Sequence, residues 1–222
     1  MAVEFRTQPL FWVGRNSGNN MQNSATQDAD DLVGGARLDA VKREALREVI
    51  RERSYSQGET KTLASGRESN FYFDMRLTTS QPEALEHIAD LFLPILYTGE
   101  CDYIGGLETG AIPVLIAVAM RSVTPPNEKL IPLFWIRKQA KGHGTKRRLE
   151  GQNISDLAGK TAVMVEDVTT TGGSVLKAIL EARANGVIIT RVITIVDRLE
   201  GAAENLAKEG VELICLFDAN DF

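Results

Sequence analysis

From Leu38 onward apolar residues recur with a period; before it they do not. Between Leu38 and Arg53 they fall at Leu38, Val41, Leu46, Val49 and Ile50 with charges between, the spacing of an amphipathic helix. A polar, β-leaning stretch from Lys61 to Met75 follows, broken by the turn signal Ser65-Gly66. Gln81 to Leu96 is helical again, with Ser80 expected as its N-cap and Pro82 and Glu83 in its first turn. From Tyr103 the pattern alternates. Strands are expected over Tyr103–Leu107, Ile131–Arg137, Ala162–Glu166, Val187–Val196 and Val211–Phe217, and helices over Ala111–Arg121, Gly173–Ala184 and Ala202–Glu209. Gln139 to Glu150 is a glycine- and base-rich loop. Such alternation predicts an α/β fold, a central parallel sheet flanked by helices. Val163–Val165 and Val192–Val196 are almost wholly apolar, as strands covered on both faces should be. In such sheets ligands bind at the carboxyl ends of the strands.

Residues 1–36 lack any sustained period and are rich in Asn, Gln, Ser, Gly and Asp. They are expected to form a disordered N-terminal extension. The apolar island Leu10-Phe-Trp-Val13 is too short for the core of a signal peptide, and Met21 is an alternative start. Residues 37–222 are expected to form a single domain. The chain of 222 residues is 43% hydrophobic and 25% charged, with a net charge of −5. That balance suits a globular protein and argues against a general nucleic-acid binder. No apolar stretch reaches the ~18 residues that span a membrane. Cys101 and Cys215 lie far apart in or beside strand-like runs, which reads as two buried thiols in a reducing cytoplasm.

The chemistry concentrates in Val163-Met-Val-Glu-Asp-Val-Thr-Thr-Thr-Gly-Gly-Ser174. An apolar strand ends in two acids, and a Thr/Gly/Ser turn then opens a helix. The turn offers backbone N–H groups and the positive end of a helix dipole to a phosphate. The carboxylates of Glu166 and Asp167 suit the hydroxyls of a sugar. Two other nucleotide motifs fail. Gly159-Lys160-Thr161 lacks the earlier glycine of a Walker loop and precedes a strand, and no G-x-G-x-x-G follows any strand.

This segment resembles the 5-phosphoribosyl-1-pyrophosphate (PRPP) signature of type I phosphoribosyltransferases. Three more segments resemble orotate phosphoribosyltransferases in particular. Arg137, Lys138, Lys141, His143 and Gly144 reproduce a catalytic-loop pattern Arg-Lys-x-x-Lys-x-His-Gly, followed by Glu150-Gly151. Thr62 to Asp74 is similar to the family's orotate-side N-terminal segment, and Val196 to Asn205 to the segment whose arginine faces orotate. The resemblance spans about residues 38–218.

It implies a pentosyltransferase that converts orotate and PRPP to orotidine 5′-phosphate and pyrophosphate with Mg²⁺, in the synthesis of UMP. Thr169, Thr170, Thr171, Gly172, Gly173 and Ser174 would hold the 5′-phosphate. Glu166 and Asp167 would take the ribose hydroxyls and reach Mg²⁺ directly or through water. Arg137, Lys138, Lys141 and His143 would meet the pyrophosphate, with Lys138, Lys141, His143 and Asp167 as the catalytic set. Arg198, Tyr72, Phe73 and Thr170 would bind orotate. The backbone of Gly106, Glu108, Thr109 and Gly110 would touch pyrophosphate, with Glu108 acting through Mg²⁺. The resemblance further implies an N-terminal hood over about 55–77, a flexible loop over about 138–149 that acts across a homodimer interface, and a cytoplasmic enzyme without nucleic-acid or membrane partners. Ala64 and Gly110 stand where some members carry lysine. The alternatives are a transferase for another base and a PRPP-sensing regulator without catalysis.

Overall fold

Ala162 and Met164 point into one apolar core, and Val163 and Val165 into another, so the strand that carries them is covered on both faces. In the computed structural model, residues 24–62, 68–125, 127, 129–139 and 147–222 are described, with backbone alone for 24–38, 59–62 and 68–70. That strand, β6 (Thr161–Thr169), is flanked by β3 (Tyr103–Leu107) and β7 (Ile188–Asp197). With β4 (Leu133–Ile136), β5 (Leu149–Glu150) and β8 (Glu212–Asp218) they form a six-stranded sheet of order β5-β4-β3-β6-β7-β8. Every pairing is parallel except that of the short β5 with β4. The expected α/β architecture is therefore present.

The chain divides into two units, Met1–Arg37 and Leu38–Phe222. Helix α1 (Ser24–Arg53) begins well before Leu38. The stretch read as disordered thus carries helical backbone from Ser24, while residues 1–23 lie outside the described residues. Ala25, Gln27 and Ala29 are adequate helix formers, and an apolar period reports packing rather than helicity.

In the second unit one core gathers Leu46 and Ile50 of α1 with α3 (Pro82–Tyr97) and α4 (Ala111–Ser122). The opposite core gathers α5 (Ile154–Leu157), α6 (Gly173–Ala184) and Leu206 of α7 (Ala202–Ala207). Asp90 of α3 ties α1 to α4, bonding Lys42 and Arg121 at 2.5 Å each. Burial works to raise its carboxyl, but the two cations outweigh it and hold the carboxyl low.

Ser80 does not cap α3. Gln81 holds that place, and the Ser80 hydroxyl instead donates to the Arg76 carbonyl at 2.7 Å, closing the preceding short helix α2 (Met75–Thr79). A serine following one helix and preceding another can serve either, and the nearer unpaired carbonyl took it. Cys101 is buried as expected, but Cys215 is exposed, because β8 is an edge strand with one flank open.

β1 (Tyr55–Thr62) and β2 (Glu68–Phe73) form a separate antiparallel hairpin, with Tyr55 opposite Phe73 and Ser56 opposite Tyr72. Aromatic rings seat it on the rest of the unit. Phe222 meets Tyr55, Phe73 and Phe217 with centroids 5.9, 5.2 and 5.7 Å apart. Each such pair adds roughly 0.5–1.5 kcal/mol beyond its buried area.

Gly105 of β3 marks a close approach between strands: a Cβ there would lie 2.3 Å from the ring of the fully buried Phe134. Gly105→Ala is expected to lower stability by about 1–3 kcal/mol, read as a shift in the urea midpoint. Adding Phe134→Leu should recover part of the loss. An unshifted midpoint in Gly105→Ala would refute the clash.

Candidate active site

Strand β6 does not stop at Glu166, where its apolar run ends. It continues through Glu166, Asp167 and Val168 to Thr169, because β7 pairs with it as far as Val168↔Val196 and Thr169↔Asp197. The two acids therefore sit on rigid strand rather than in a loop. Neighbours in a strand point to opposite faces, so their carboxylates meet different surroundings. The Oε2 atom of Glu166 is shut off from solvent and has no hydrogen-bond partner among the described residues. Burial, reinforced by the charge of Asp167 and opposed by Lys138, pushes the Glu166 carboxyl well above its ordinary value. Asp167 is also raised, chiefly by burial, although its Oδ1 accepts the Val168 N–H at 2.9 Å.

Beyond Thr169 the chain turns through Gly172, whose φ of +75° favours glycine, into α6. A side chain there would also press on Ala202 and Leu206, at 3.4 Å. Gly172 supplies no capping group, so the first-turn N–H groups of α6 are available to an anion. From the far side, Asn205 Nδ2 donates to the Thr171 carbonyl at 3.0 Å.

Two further segments converge here. The Glu108–Thr109–Gly110 loop follows β3. Glu108 Oε1 accepts the Lys138 N–H at 2.8 Å, which fixes the start of the basic loop against it. The base of that loop is clasped: Arg137 N–H donates to the Arg148 carbonyl, and Arg148 Nε donates to the Arg137 carbonyl, both at 2.8 Å. Arg148 also reaches Glu181 of α6 at 3.2 Å. Gly110 has a specific reason to be glycine, since a Cβ would lie 2.4 Å from Asp167 Oδ2. A side chain as long as lysine has no room here while Asp167 keeps this position.

Arg198 is buried, at 4% exposure. Its guanidinium stacks over Phe71 at 4.6 Å, donates to the Phe71 carbonyl at 3.1 Å, and pairs with Glu200 at 3.0 Å. Burial lowers its pKa, with Glu200 opposing.

These pieces enclose one cavity of about 430 Å³, well within the range of small-ligand sites. Of the expected site residues, Tyr72, Phe73, Lys138, Glu166, Asp167, Thr169, Thr170, Gly172, Gly173, Ser174 and Arg198 line it. Arg137 and Thr171 do not; both serve as supports through their backbone. Lys141, His143, Gly144 and Ala64 lie outside the described residues.

The phosphoribosyl transferase domain matches residues 78–221. An orotate phosphoribosyltransferase from Bradyrhizobium sp. strain BTAi1 is 45% identical over 184 residues, 82% of this chain and 98% of its own. This chain belongs to the orotate phosphoribosyltransferase family. A family member from Methanocaldococcus jannaschii is 44% identical over 69% of this chain and 81% of its own. The fold agrees as well. The Mycobacterium tuberculosis orotate phosphoribosyltransferase solved in complex with PRPP superposes with a TM-score of 0.65 at 31% identity, over 81% of this chain and 98% of that one.

Met75 and Arg76, which the sequence did not mark, line the cavity at the end of the hairpin beside Asp74, the last residue of the segment likened to the family's orotate side. Arg76 grips Asp74 through two hydrogen bonds of 2.7 Å, and that bonding holds the Asp74 carboxyl low. An acid and an arginine two positions apart were the available signal. Glu108 was expected to act through Mg²⁺; in this chain one of its oxygens is engaged by the loop backbone.

The raised Glu166 carboxyl predicts a pH dependence. The unfolded chain releases this proton near the ordinary 4.5, while the folded protein keeps it to higher pH. Its contribution is therefore complete below 4.5 and lost as pH rises through the folded value. Glu166→Gln should gain stability over wild type progressively from pH 4.5 toward neutrality, measured as urea midpoints without ligand. A difference that stays constant across that range would show that Glu166 titrates as an ordinary surface acid.

Proposed function

We propose that this chain transfers the 5-phosphoribosyl group of PRPP to orotate, giving orotidine 5′-phosphate and pyrophosphate. One observation carries the reading: the acid pair, the phosphate turn and a buried arginine under an aromatic hairpin line a single cavity. The phosphate turn holds the 5′-phosphate through Thr170, Gly172, Gly173 and Ser174, with Thr169 and Thr171 shaping it. Glu166 and Asp167 accept the ribose hydroxyls. Arg198 takes a carboxylate or carbonyl of orotate, for which a planar guanidinium is suited, while Tyr72 and Phe73 frame the ring. Charge leaves with pyrophosphate as the bond at ribose C1 loosens. Arg137, Lys138, Lys141 and His143 supply the positive charge that meets it.

The acid pair suits Mg²⁺. Glu166 holds a buried oxygen with no partner among the described residues, and a hard cation favours such oxygens together with those of a substrate. Among the described residues no group of three or more acids, histidines or cysteines forms a complete cage, so substrate oxygens would complete the shell. When bound, the ion would neutralise charge on the pyrophosphate. Residues 37–222 form the catalytic domain in this reading, with the hairpin as hood and 138–149 as the loop that closes over the leaving group. The enzyme works as a homodimer in the cytoplasm, each loop serving the partner's site. No described helix is long and apolar enough to cross a membrane.

With PRPP and Mg²⁺ present, ultraviolet absorbance should follow rapid loss of orotate. Lys141→Ala and His143→Ala should each slow it at least tenfold while circular dichroism stays unchanged; loss of one such donor costs roughly 3 kcal/mol of barrier. If wild type leaves orotate intact but consumes adenine, hypoxanthine or uracil, the base assignment falls. No turnover of any base would leave a binding protein for PRPP.

A further inference from the structure

Two hydrogen bonds tie the end of β6 to the end of β7, and a third braces the chain just beyond β7. Thr169 Oγ1 donates to Asp197 Oδ1 at 2.9 Å. The Leu199 N–H donates to the same oxygen at 3.3 Å. The Arg198 N–H donates to the Thr169 carbonyl at 3.0 Å. Thr169 and Asp197 are register partners and both are buried, at 2% and 5% exposure. On one side of the knot the chain enters the phosphate turn. On the other it presents Arg198 and then turns at Leu199, whose φ of +59° is unusual for a branched side chain. Asp197 itself does not line the cavity.

We propose that Asp197 is a positioning residue that sets the distance between the phosphate subsite and the base subsite. Its single oxygen receives one donor from each side, so movement of either segment disturbs the other. A nucleotide-forming site needs that distance held, because one product molecule must touch both ends and a small misplacement is costly. The role requires an acceptor rather than a charge: the nearby guanidinium of Arg198 pairs with Glu200. The sheet alone does not supply this constraint, since the β6–β7 pairing ends at this rung and both chains leave it in irregular conformations. The proposal rests on the reading of the cavity as a phosphoribosyl-transfer site.

The test compares wild type with Asp197→Ala, Asp197→Asn and Thr169→Val, recording Tm and the KM for PRPP and for orotate separately. Asp197→Ala should raise both KM values at least tenfold. Asp197→Asn keeps an acceptor oxygen and should stay within about threefold of wild type. Thr169→Val removes one donor without changing shape and should raise both KM values at least threefold; it decides the matter if Asp197→Ala does not fold. A lower Tm with unchanged KM values would overturn the proposal, since that is what a purely structural role gives. So would an effect on one substrate alone, or an Asn variant as impaired as Ala. If wild type does not turn over orotate, the reaction assignment fails independently. Titration with ribose 5-phosphate then tests the knot, and equal affinity in wild type and Asp197→Ala would overturn it.

Discussion

A carboxylate oxygen shut off from water favours the protonated acid or a nearby positive charge, and the fold places Glu166 Oε2 under that constraint. It lies on a strand buried between two helical layers, and its Oε2 meets neither solvent nor a donor among the described residues. The surroundings then become intelligible. Lys138 is the opposing charge, and it is held near by Glu108, whose own carboxylate is occupied by the loop backbone. The turn after Thr169 supplies N–H groups rather than more acids. In the proposed reaction the site brings an anionic, hydroxyl-rich molecule and counter-charge to this pair of acids.

Rigidity is distributed around this pair with a consistent logic. Groups proposed to touch the ribose and phosphate stand on the sheet or on the first turn of α6. The basic loop leaves and re-enters through the Arg137–Arg148 clasp, which is anchored to α6 through Glu181. The base-side arginine is fixed from three directions: ring, carbonyl and Glu200.

Much of this was legible because the informative residues are contiguous. The acids and the phosphate turn occupy one unbroken stretch, and the apolar run before them announces a covered strand. The basic loop and Arg198 were readable as patterns. What escaped depends on pairing across distance. Nothing local says that β6 continues through two acids, since Glu and Asp are poor strand formers; β7 imposes it. Nor does the sequence near Thr169 indicate that its hydroxyl meets Asp197, 28 positions later. Ser80 was misassigned because two helix ends compete for it, and Cys215 because its strand lies at an edge.

The missing Cβ at Gly110 links two positions that are far apart in the chain. A side chain there would press on Asp167 Oδ2, whose partner oxygen Oδ1 already accepts the Val168 N–H. Substitution at position 110 and relocation of the acid are thus a single event, not two. A larger residue at position 110 of this chain would call for a different loop path or a different setting of the acid. Tolerance of a side chain at position 110 is therefore conditional on where the carboxylate of residue 167 rests.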